Sequence, residues 1–254
     1  LHYPLRRQRQ MCIRDSKKMD QKSIDHRKLI LEILKRAQRG HIGASLSLLE
    51  IIRVLFDAIL KYDPHNPCWP DRDRFILSKG HGCLALYINL AEKGFFPKND
   101  LFGFCSFDSG LGGHPDHRKV PGVEASTGSL GHGLSIGVGM ALAAKMDKKS
   151  YRVFVLIGDG ESNEGSIWEA ALSAAKHKLD NLVVLTDYNK MQSYAETKVV
   201  LDLEPLVDKW VSFGFEAKEV DGHDIAALAE ICRQVPFQKG KPSAIICHTV
   251  KGKG

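Results

Sequence analysis

The sequence predicts an α/β fold, a mostly parallel sheet with helices on both of its faces. Residues 153–157 and 182–186 form two short apolar runs that are typical of strands buried on both sides. Between them, small apolar residues recur at helical spacing over positions 167–175. The same order of strand, helix and strand recurs at residues 215–220, 224–234 and 244–250. Such alternation is typical of βαβ units, which bring successive strands into one parallel sheet.

The first part of the chain is predicted to hold helices, one short strand and a long loop. Apolar residues over positions 30–37 follow helical spacing. Ser47 and Glu50 form a capping-box pattern at the start of a second apolar helical face. The run RFILSKGHGCLALYINLAEKG predicts a short strand, a glycine-flanked turn and a helix. Residues 95–127 are predicted to be an irregular loop, and loops of that length are usually functional or disordered.

The N-terminal segment is predicted to stand apart from the folded domain. Residues 6–16 match, residue for residue, the translation of a transposase sequencing adaptor. We therefore expect residues 1–18 to be a non-native or disordered leader and residues 19–254 to form the domain. The leader holds six Lys and Arg residues against one acid, so the formal net charge falls from +6 to +1 without it. The positive net charge of the whole chain therefore does not indicate a nucleic-acid partner.

Composition excludes other classes of protein. The cysteines contain no CxxC pair, which favours scattered reduced thiols in a cytoplasmic protein over a metal site or disulfide framework. The longest apolar runs are too short to span a bilayer, so no membrane association is expected.

The segment GDGESNEG and a later asparagine predict a metal site. Asp159 and Asn189 are 30 residues apart, and a strand–helix–strand unit takes about 30 residues. Both therefore fall at the carboxyl ends of parallel strands, where open α/β sheets bind ligands. Their oxygens suit Mg²⁺, which commonly shares its coordination with phosphates. Gly158 and Gly160 leave room for a diphosphate, and nearby helix N–H groups favour its charge. The alternative is a tight turn with a capping aspartate.

Several motifs together resemble the transketolase family of thiamine-diphosphate-dependent enzymes. The resemblance runs from about Arg36 to Gly254 and is strongest to the diphosphate-binding domain. It rests on GHIGASLS, DRDRFILSKGHG, GGHP, GVEASTGSLGHGLSIGVGMA, GDGESNEGSIWEAA, DYNKMQS and VDGHD, in the family's order. It implies the thiamine-diphosphate-binding fold, with thiamine diphosphate and Mg²⁺, or another divalent cation such as Ca²⁺ or Mn²⁺, as cofactors.

The resemblance also assigns site residues. It implies that Asp159, Asn189 and the main-chain carbonyl of Met191 hold the metal. Glu164 would lie at a subunit contact, near the carboxylate network that activates the cofactor. The residues implied to bind the cofactor are His81, Gly128, Ser129, Leu130, Gly158, Asp159, Gly160, Glu164 and Asn189.

Three histidines are the predicted catalytic residues. His41, His81 and His114 each stand beside glycine in a loop-like turn, where a histidine is free to face a ligand. The resemblance implies that His41 and His114 meet the sugar hydroxyls, where histidine suits proton transfer near neutral pH. His132 also stands between glycines but falls just inside a helix start, so its role stays open. His223 and the aspartate after it are predicted to be helix-capping structure.

Departures from the family pattern favour a split enzyme. Lys79 stands where long single-chain transketolases usually have Asn, and Ile42 and Ser129 where they have Pro. These features resemble the two-subunit transketolases of bacteria and archaea. None of the family's pyrimidine-binding domain, with its essential glutamate, is found in this sequence, and a later catalytic histidine is expected in a short segment after Gly254. We therefore expect a chain truncated at its C-terminus, which acts with a C-terminal transketolase subunit in an α2β2 heterotetramer.

The predicted function is transfer of a two-carbon ketol unit from a ketose phosphate to an aldose phosphate, as in the pentose phosphate pathway. A branched, sulfonated or aminated sugar remains an alternative. Deoxyxylulose-phosphate synthase and the α chain of a 2-oxo-acid dehydrogenase are alternative enzymes, but GDGESNEGSIWEAA and the GGHP histidine argue against both. A non-catalytic interaction module would have lost the histidines and metal ligands, all of which are present. A nicotinamide site on GSLGHG lacks its preceding strand and acidic residue.

Overall fold

The fold is a parallel sheet, as the sequence predicts. A computed structural model describes residues 19–254, and the predicted leader lies outside the described residues. Within that range the sheet has five strands in the order β1-β2-β3-β5-β4, and every pair is parallel. The strands are β1 Arg74–Leu77, β2 Val153–Gly158, β3 Leu182–Tyr188, β4 Glu216–Asp221 and β5 Ser243–His248.

Helices cover both faces of this sheet. The α-helices of the described chain are α1 Gln21–Ala37, α2 Ile42–Ser47, α3 Leu49–Val54, α4 Cys83–Glu92, α5 His132–Met146, α6 Gly165–Lys176, α7 Thr197–Val200, α8 Leu206–Ser212 and α9 Ile225–Arg233. A wider helical turn, Leu55–Ile59, continues α3. Tighter single turns span Gly80–Gly82, Lys98–Gly103 and Gly160–Asn163.

The alternation of side chains along β2 divides the core into two layers. Phe154 and Leu156 pack with residues of α1, α3, α4 and α9 on one face of the sheet. Val153, Val155 and Ile157 pack with residues of α5, α6 and α8 on the other face. All of β2 is therefore buried, which explains why its sequence is an unbroken apolar run.

The register of the sheet brings the predicted metal ligands to one edge. β2 and β3 are direct neighbours, and Gly158 pairs with Asp187 at their carboxyl ends. Asp159 and Asn189 follow these strands, so both emerge at the same edge. The prediction that one crossover places them side by side in the sheet is confirmed.

The predicted capping box at Ser47 and Glu50 is wrong. Ser47 is the last residue of α2, and its hydroxyl donates a hydrogen bond to Asp187 Oδ2 at 2.6 Å. The buried Glu50 carboxylate accepts hydrogen bonds from Arg27 at 2.5 and 3.0 Å and lies 2.9 Å from His223 Nδ1. Burial acts to raise the pKa of Glu50, but the His223 and Arg27 contacts lower it to about 2. Both side chains serve tertiary contacts that a local pattern does not reveal.

The long loop over residues 95–127 has one short helical turn, Lys98–Gly103, and is otherwise irregular. Its apolar side chains, among them Leu111 and Val120, join the core, so the loop that carries His114 is packed against the domain. Within residues 19–254, no helix combines the length and the apolar character needed to cross a membrane.

Candidate active site

A cavity of about 790 Å³ opens at the carboxyl edge of β2 and β3. Its walls come from the start of α2, the turn after β1 and the turn before α5. The turn that begins at Gly158-Asp159-Gly160, called the GDG turn, and the segment that follows β3 complete them. Predicted site residues in its lining are His41, His81, Leu130, Gly158, Asp159, Gly160, Glu164, Asn189 and Met191. The fold thus brings together residues that lie far apart in the sequence.

Asp159 presents a buried carboxylate to this cavity. It is 3% exposed, and its Oδ1 accepts a hydrogen bond from Gly160 N at 2.7 Å. Its Oδ2 accepts one from Lys190 N. Burial and the negative charge of Asp187 raise the pKa of Asp159 to about 6, although these two hydrogen bonds oppose the shift. A nearby cation would favour the ionised carboxylate, as expected of a metal ligand.

Asn189 and Met191 carry the other two predicted metal ligands. Together with Asp159 they form the part of the cavity that we call the metal edge. The Asn189 side chain is 9% exposed, and its Oδ1 accepts a hydrogen bond from Met191 N at 3.0 Å. In the part of the chain that the structure describes, no three His, Cys, Asp or Glu side chains are grouped as a metal cage. If the predicted ligands are correct, the oxygens of a carboxylate, an amide and a main chain would form a partial set, which ligand phosphates or water would complete.

A buried ion pair lies beneath the metal edge. Lys79 Nζ is 2.5 Å from Asp187 Oδ2, and the two residues are 3% and 0% exposed. Ser47 and Thr249 also donate hydroxyl hydrogen bonds to the Asp187 carboxylate. Burial acts to raise the pKa of Asp187, but the charge and hydrogen bond of Lys79 hold it below its ordinary value. Lys79 also lines the cavity, so this pair places a cation at the site.

The three predicted catalytic histidines lie close together. His41 and His81 line the cavity, and His114 lies beside His41 outside that lining. The ring centroids of His41 and His81 are 5.4 Å apart, and those of His41 and His114 are 6.1 Å apart. His41 precedes α2, and His81 lies in the tight turn after β1. Gly128 has a φ of +140°, and a Cβ at this position would lie 2.7 Å from the His114 ring. Glycine there lets the chain pass against that ring.

The environment keeps at least two of these histidines neutral. Burial, and then the positive charge of Lys79, lower the pKa of His81 to about 3. Burial and the neighbouring His41 also lower the pKa of His114. A neutral imidazole has one donor and one acceptor nitrogen, so each of these two rings can hydrogen-bond a ligand in both ways near neutral pH.

We expect His81 to make folding stability depend on pH. Its pKa is about 3 in the folded chain against an ordinary 6.5, so the unfolded chain binds more protons between these values. The free energy of unfolding should therefore fall as the pH drops below about 6.5. His81→Gln should reduce the loss measured by urea unfolding between about pH 7 and pH 5. The exposed His177→Gln is the control, and an unchanged slope in His81→Gln would contradict the assignment.

Other predicted residues occupy less central places. Ser129 is exposed and is not part of the cavity lining. His132 is the exposed first residue of α5 and also lies outside the lining. His223 lies between Glu50 and Val250, where its Nε2 accepts a hydrogen bond from the Val250 N–H at 2.9 Å. The prediction that His223 is structural agrees with this position.

Sequence reasoning missed three polar residues of the cavity. Glu161 lies in the GDG turn and is 2% exposed. Gln192 has a buried amide nitrogen with no hydrogen-bond partner among the described residues. Lys251 donates a hydrogen bond from Nζ to the Gln192 carbonyl at 2.8 Å. Their neighbourhood in the sequence could have drawn attention to them, since Glu161 is part of GDGESNEG and Gln192 of DYNKMQS.

Comparison with known proteins identifies the family of this chain. Residues 19–254 match the family described as transketolase, thiamine diphosphate binding domain. A 6-deoxy-6-sulfo-D-fructose transketolase subunit from Clostridium sp. (strain MSTE9) is 47% identical over 228 residues, which are 90% of this chain and 83% of that protein. An apulose-4-phosphate transketolase subunit from Phocaeicola vulgatus is 44% identical over 236 residues, 93% of this chain and 84% of the relative.

Solved structures give the same result. A transketolase from Pichia stipitis superposes with a TM-score of 0.88 at 33% identity, over 92% of this chain and 36% of that one. A transketolase from Leishmania mexicana gives a TM-score of 0.85 at 33% identity, over 90% of this chain and 36% of that one. The chain therefore spans about a third of those enzymes but most of the subunit-type relatives. The predicted fold, enzyme type and thiamine diphosphate cofactor with a divalent metal ion are confirmed, and the chain belongs to the transketolase family as its thiamine-diphosphate-binding domain.

Proposed function

We propose that this chain is the metal- and diphosphate-binding subunit of a two-subunit transketolase. With a partner that carries the pyrimidine-binding domain, it would transfer a two-carbon ketol unit from a ketose to an aldose. The observation that carries the proposal is the grouping of His41 and His81 with Asp159 and Asn189 in the lining of one cavity, with His114 beside His41. Proton-transfer groups and metal ligands thus face one substrate-sized space.

The residues present fit thiamine diphosphate with a metal. Asp159, Asn189 and the Met191 carbonyl would hold the metal, for which we propose Mg²⁺, next to the diphosphate. Lys79 supplies positive charge in the same lining. The buried amide nitrogen of Gln192 lacks a partner within the described chain, which is expected of a donor that meets a ligand. When bound, the cofactor supplies the electron sink that cleavage beside a ketose carbonyl requires.

The histidines would handle the protons of the sugar. We assign His41 and His114 to the donor hydroxyls, where each ring would accept a proton and return it later. His81 stays neutral because of burial and the charge of Lys79, so it can orient a ligand without repelling the cation beside it. The close ring contacts limit rotation of all three, which favours a fixed geometry for proton transfer.

A second, partner chain is proposed because several apolar side chains at the mouth of the cavity are exposed. Ile42, Met191 and Leu201 line it and are 48%, 38% and 57% exposed. Exposed apolar clusters of this kind mark interaction sites. Glu164 lies at the same mouth and is exposed, as the predicted subunit contact requires. Relatives that are named as single subunits of a transketolase support a second chain, and we propose an α2β2 assembly in the cytoplasm.

We propose the substrates by their chemical class. Relatives are named for 6-deoxy-6-sulfo-D-fructose and for apulose 4-phosphate, one sulfonated and one branched sugar. We therefore propose a ketose with a terminal anionic group, phosphate or sulfonate, as the donor. The pentose phosphate pathway remains a prediction from sequence.

We expect co-expression with the partner chain to give ketol transfer that neither chain supports alone. In that complex, His114→Ala should lower kcat by about 100-fold or more, because general acid–base catalysis contributes about 10²–10⁴-fold. The measurement is formation of the extended ketose from a panel of anionic ketoses and aldoses, with the exposed His177→Ala as the control. Decarboxylation of 2-oxo acids without ketol transfer would contradict the proposal and favour a 2-oxo-acid dehydrogenase.

A further inference from the structure

One buried carboxylate joins the turns that form the cavity. Glu161 lies in the turn Gly160–Asn163 and is 2% exposed. Its Oε1 accepts hydrogen bonds from Gly131 N at 2.9 Å and from the Ser78 hydroxyl. Its Oε2 accepts a hydrogen bond from Gly158 N at 3.0 Å. All three donors therefore converge on a single side chain.

Each donor belongs to a different segment of the site. Ser78 follows β1 and precedes the turn that carries His81. Gly158 is the last residue of β2 and directly precedes Asp159. Gly131 directly precedes α5 and has a φ of +84°, where glycine is favoured. A shift of the Glu161 carboxylate would thus move the histidine turn, the metal ligand and the turn before α5 relative to one another.

The packing leaves these segments little freedom to adjust. A Cβ at Gly133, in the first turn of α5, would lie 2.3 Å from Ser78 Oγ. A Cβ at Gly131 would lie 2.4 Å from Ser166 Oγ and 2.8 Å from Glu164 Cβ. The backbones therefore approach as closely as glycine allows, and the carboxylate occupies the point where they meet.

A carboxylate suits this point because it accepts hydrogen bonds at both oxygens. The N–H groups of Gly131 and Gly158 can only donate. Glutamine has the same size but one oxygen and one NH₂ group, so it would turn a donor towards one of these N–H groups. An alanine would leave both N–H groups buried without a partner, which is costly.

We propose that Glu161 is a positioning residue that holds three cofactor-binding segments in register and thereby sets the affinity for thiamine diphosphate. The proposal rests on the proposed function for the identity of the ligand. Outer residues that orient metal ligands affect metal affinity or activity by about 10–100-fold when they are changed. Glu161 accepts a hydrogen bond from the N–H of Gly158, the residue before Asp159, and so acts on the backbone that positions this ligand.

The test is titration of the full chain with thiamine diphosphate and Mg²⁺ by calorimetry, with thermal unfolding followed in parallel. Glu161→Gln should weaken binding about 10–100-fold, as for outer residues of a metal site. Ser78→Ala keeps the carboxylate and removes one hydrogen bond, so it should weaken binding less. Glu32→Gln, a change of the same charge at an exposed position on α1, should bind like the parent chain.

A purely structural role predicts a different result. If Glu161→Gln and Ser78→Ala lower the melting temperature but bind the cofactor with parental affinity, the proposal is overturned. In the partnered enzyme, positioning predicts a raised KM for thiamine diphosphate with kcat retained at saturation. Failure of ketol transfer in the parent complex would overturn the proposed function instead, while the ratio of cofactor affinities would still test Glu161.

Discussion

Asp159→Ala is expected to abolish metal-dependent binding of thiamine diphosphate while the chain still folds. The substitution removes a charged oxygen ligand, so the loss should exceed the about 10–100-fold typical of outer residues around a metal. Folding should persist because burial and the charge of Asp187 already disfavour the ionised Asp159 carboxylate in the metal-free chain. Asn189→Ala should act in the same direction, since its amide oxygen belongs to the same edge.

Calorimetric titration with thiamine diphosphate at fixed Mg²⁺ measures this effect, and the far-ultraviolet circular dichroism spectrum reports the fold. Asp208→Asn is the control, because Asp208 is exposed on α8 and lies outside the cavity lining. Parental affinity in Asp159→Ala, or binding that does not depend on Mg²⁺, would refute the metal assignment.

The metal edge could be predicted because it follows from local pattern and chain topology. The apolar run of β2 ends at Gly158, and a crossover of ordinary length brings Asn189 to the neighbouring strand end. Right-handed βαβ geometry then leaves little choice about where Asp159 and Asn189 lie. The meeting of the histidines came from the resemblance, since no spacing links the turn at His41 to the loop at His114.

The polar network beneath the site could not be predicted in this way. Asp187 is the next-to-last residue of β3 and receives hydrogen bonds from Ser47, 140 residues earlier, and from Thr249, 62 residues later. Ser47 matched a capping box because the same residue types serve helix ends and buried networks. Lys79 was noted only as a departure from the family. Its role depends on a partner, Asp187, that the fold supplies.

Lys79→Met is expected to lower the free energy of unfolding by about 3–5 kcal/mol, because it leaves a buried carboxylate without its cation. Asp187 is fully buried, and its hydroxyl donors cannot replace a charge. The double variant Lys79→Met, Asp187→Asn should be more stable than Lys79→Met alone, since it removes the unpaired charge. Urea unfolding at pH 7 measures both, with the exposed Lys28→Met on α1 as the control.

The pH dependence of this loss separates charge from packing. In the parent chain the pKa of Asp187 lies below its ordinary 3.8, so its stabilising effect is present above that value and disappears as the pH falls through the lower, folded value. In Lys79→Met, burial should raise the pKa of Asp187 against only the hydroxyl hydrogen bonds of Ser47 and Thr249, so protonation relieves the penalty at mildly acidic pH. The difference in unfolding free energy between the two chains should therefore shrink as the pH is lowered. A difference that stays constant with pH would mean that Lys79 stabilises the fold through the packing of its aliphatic chain. The charge of its ammonium group would then contribute to ligand binding and not to folding.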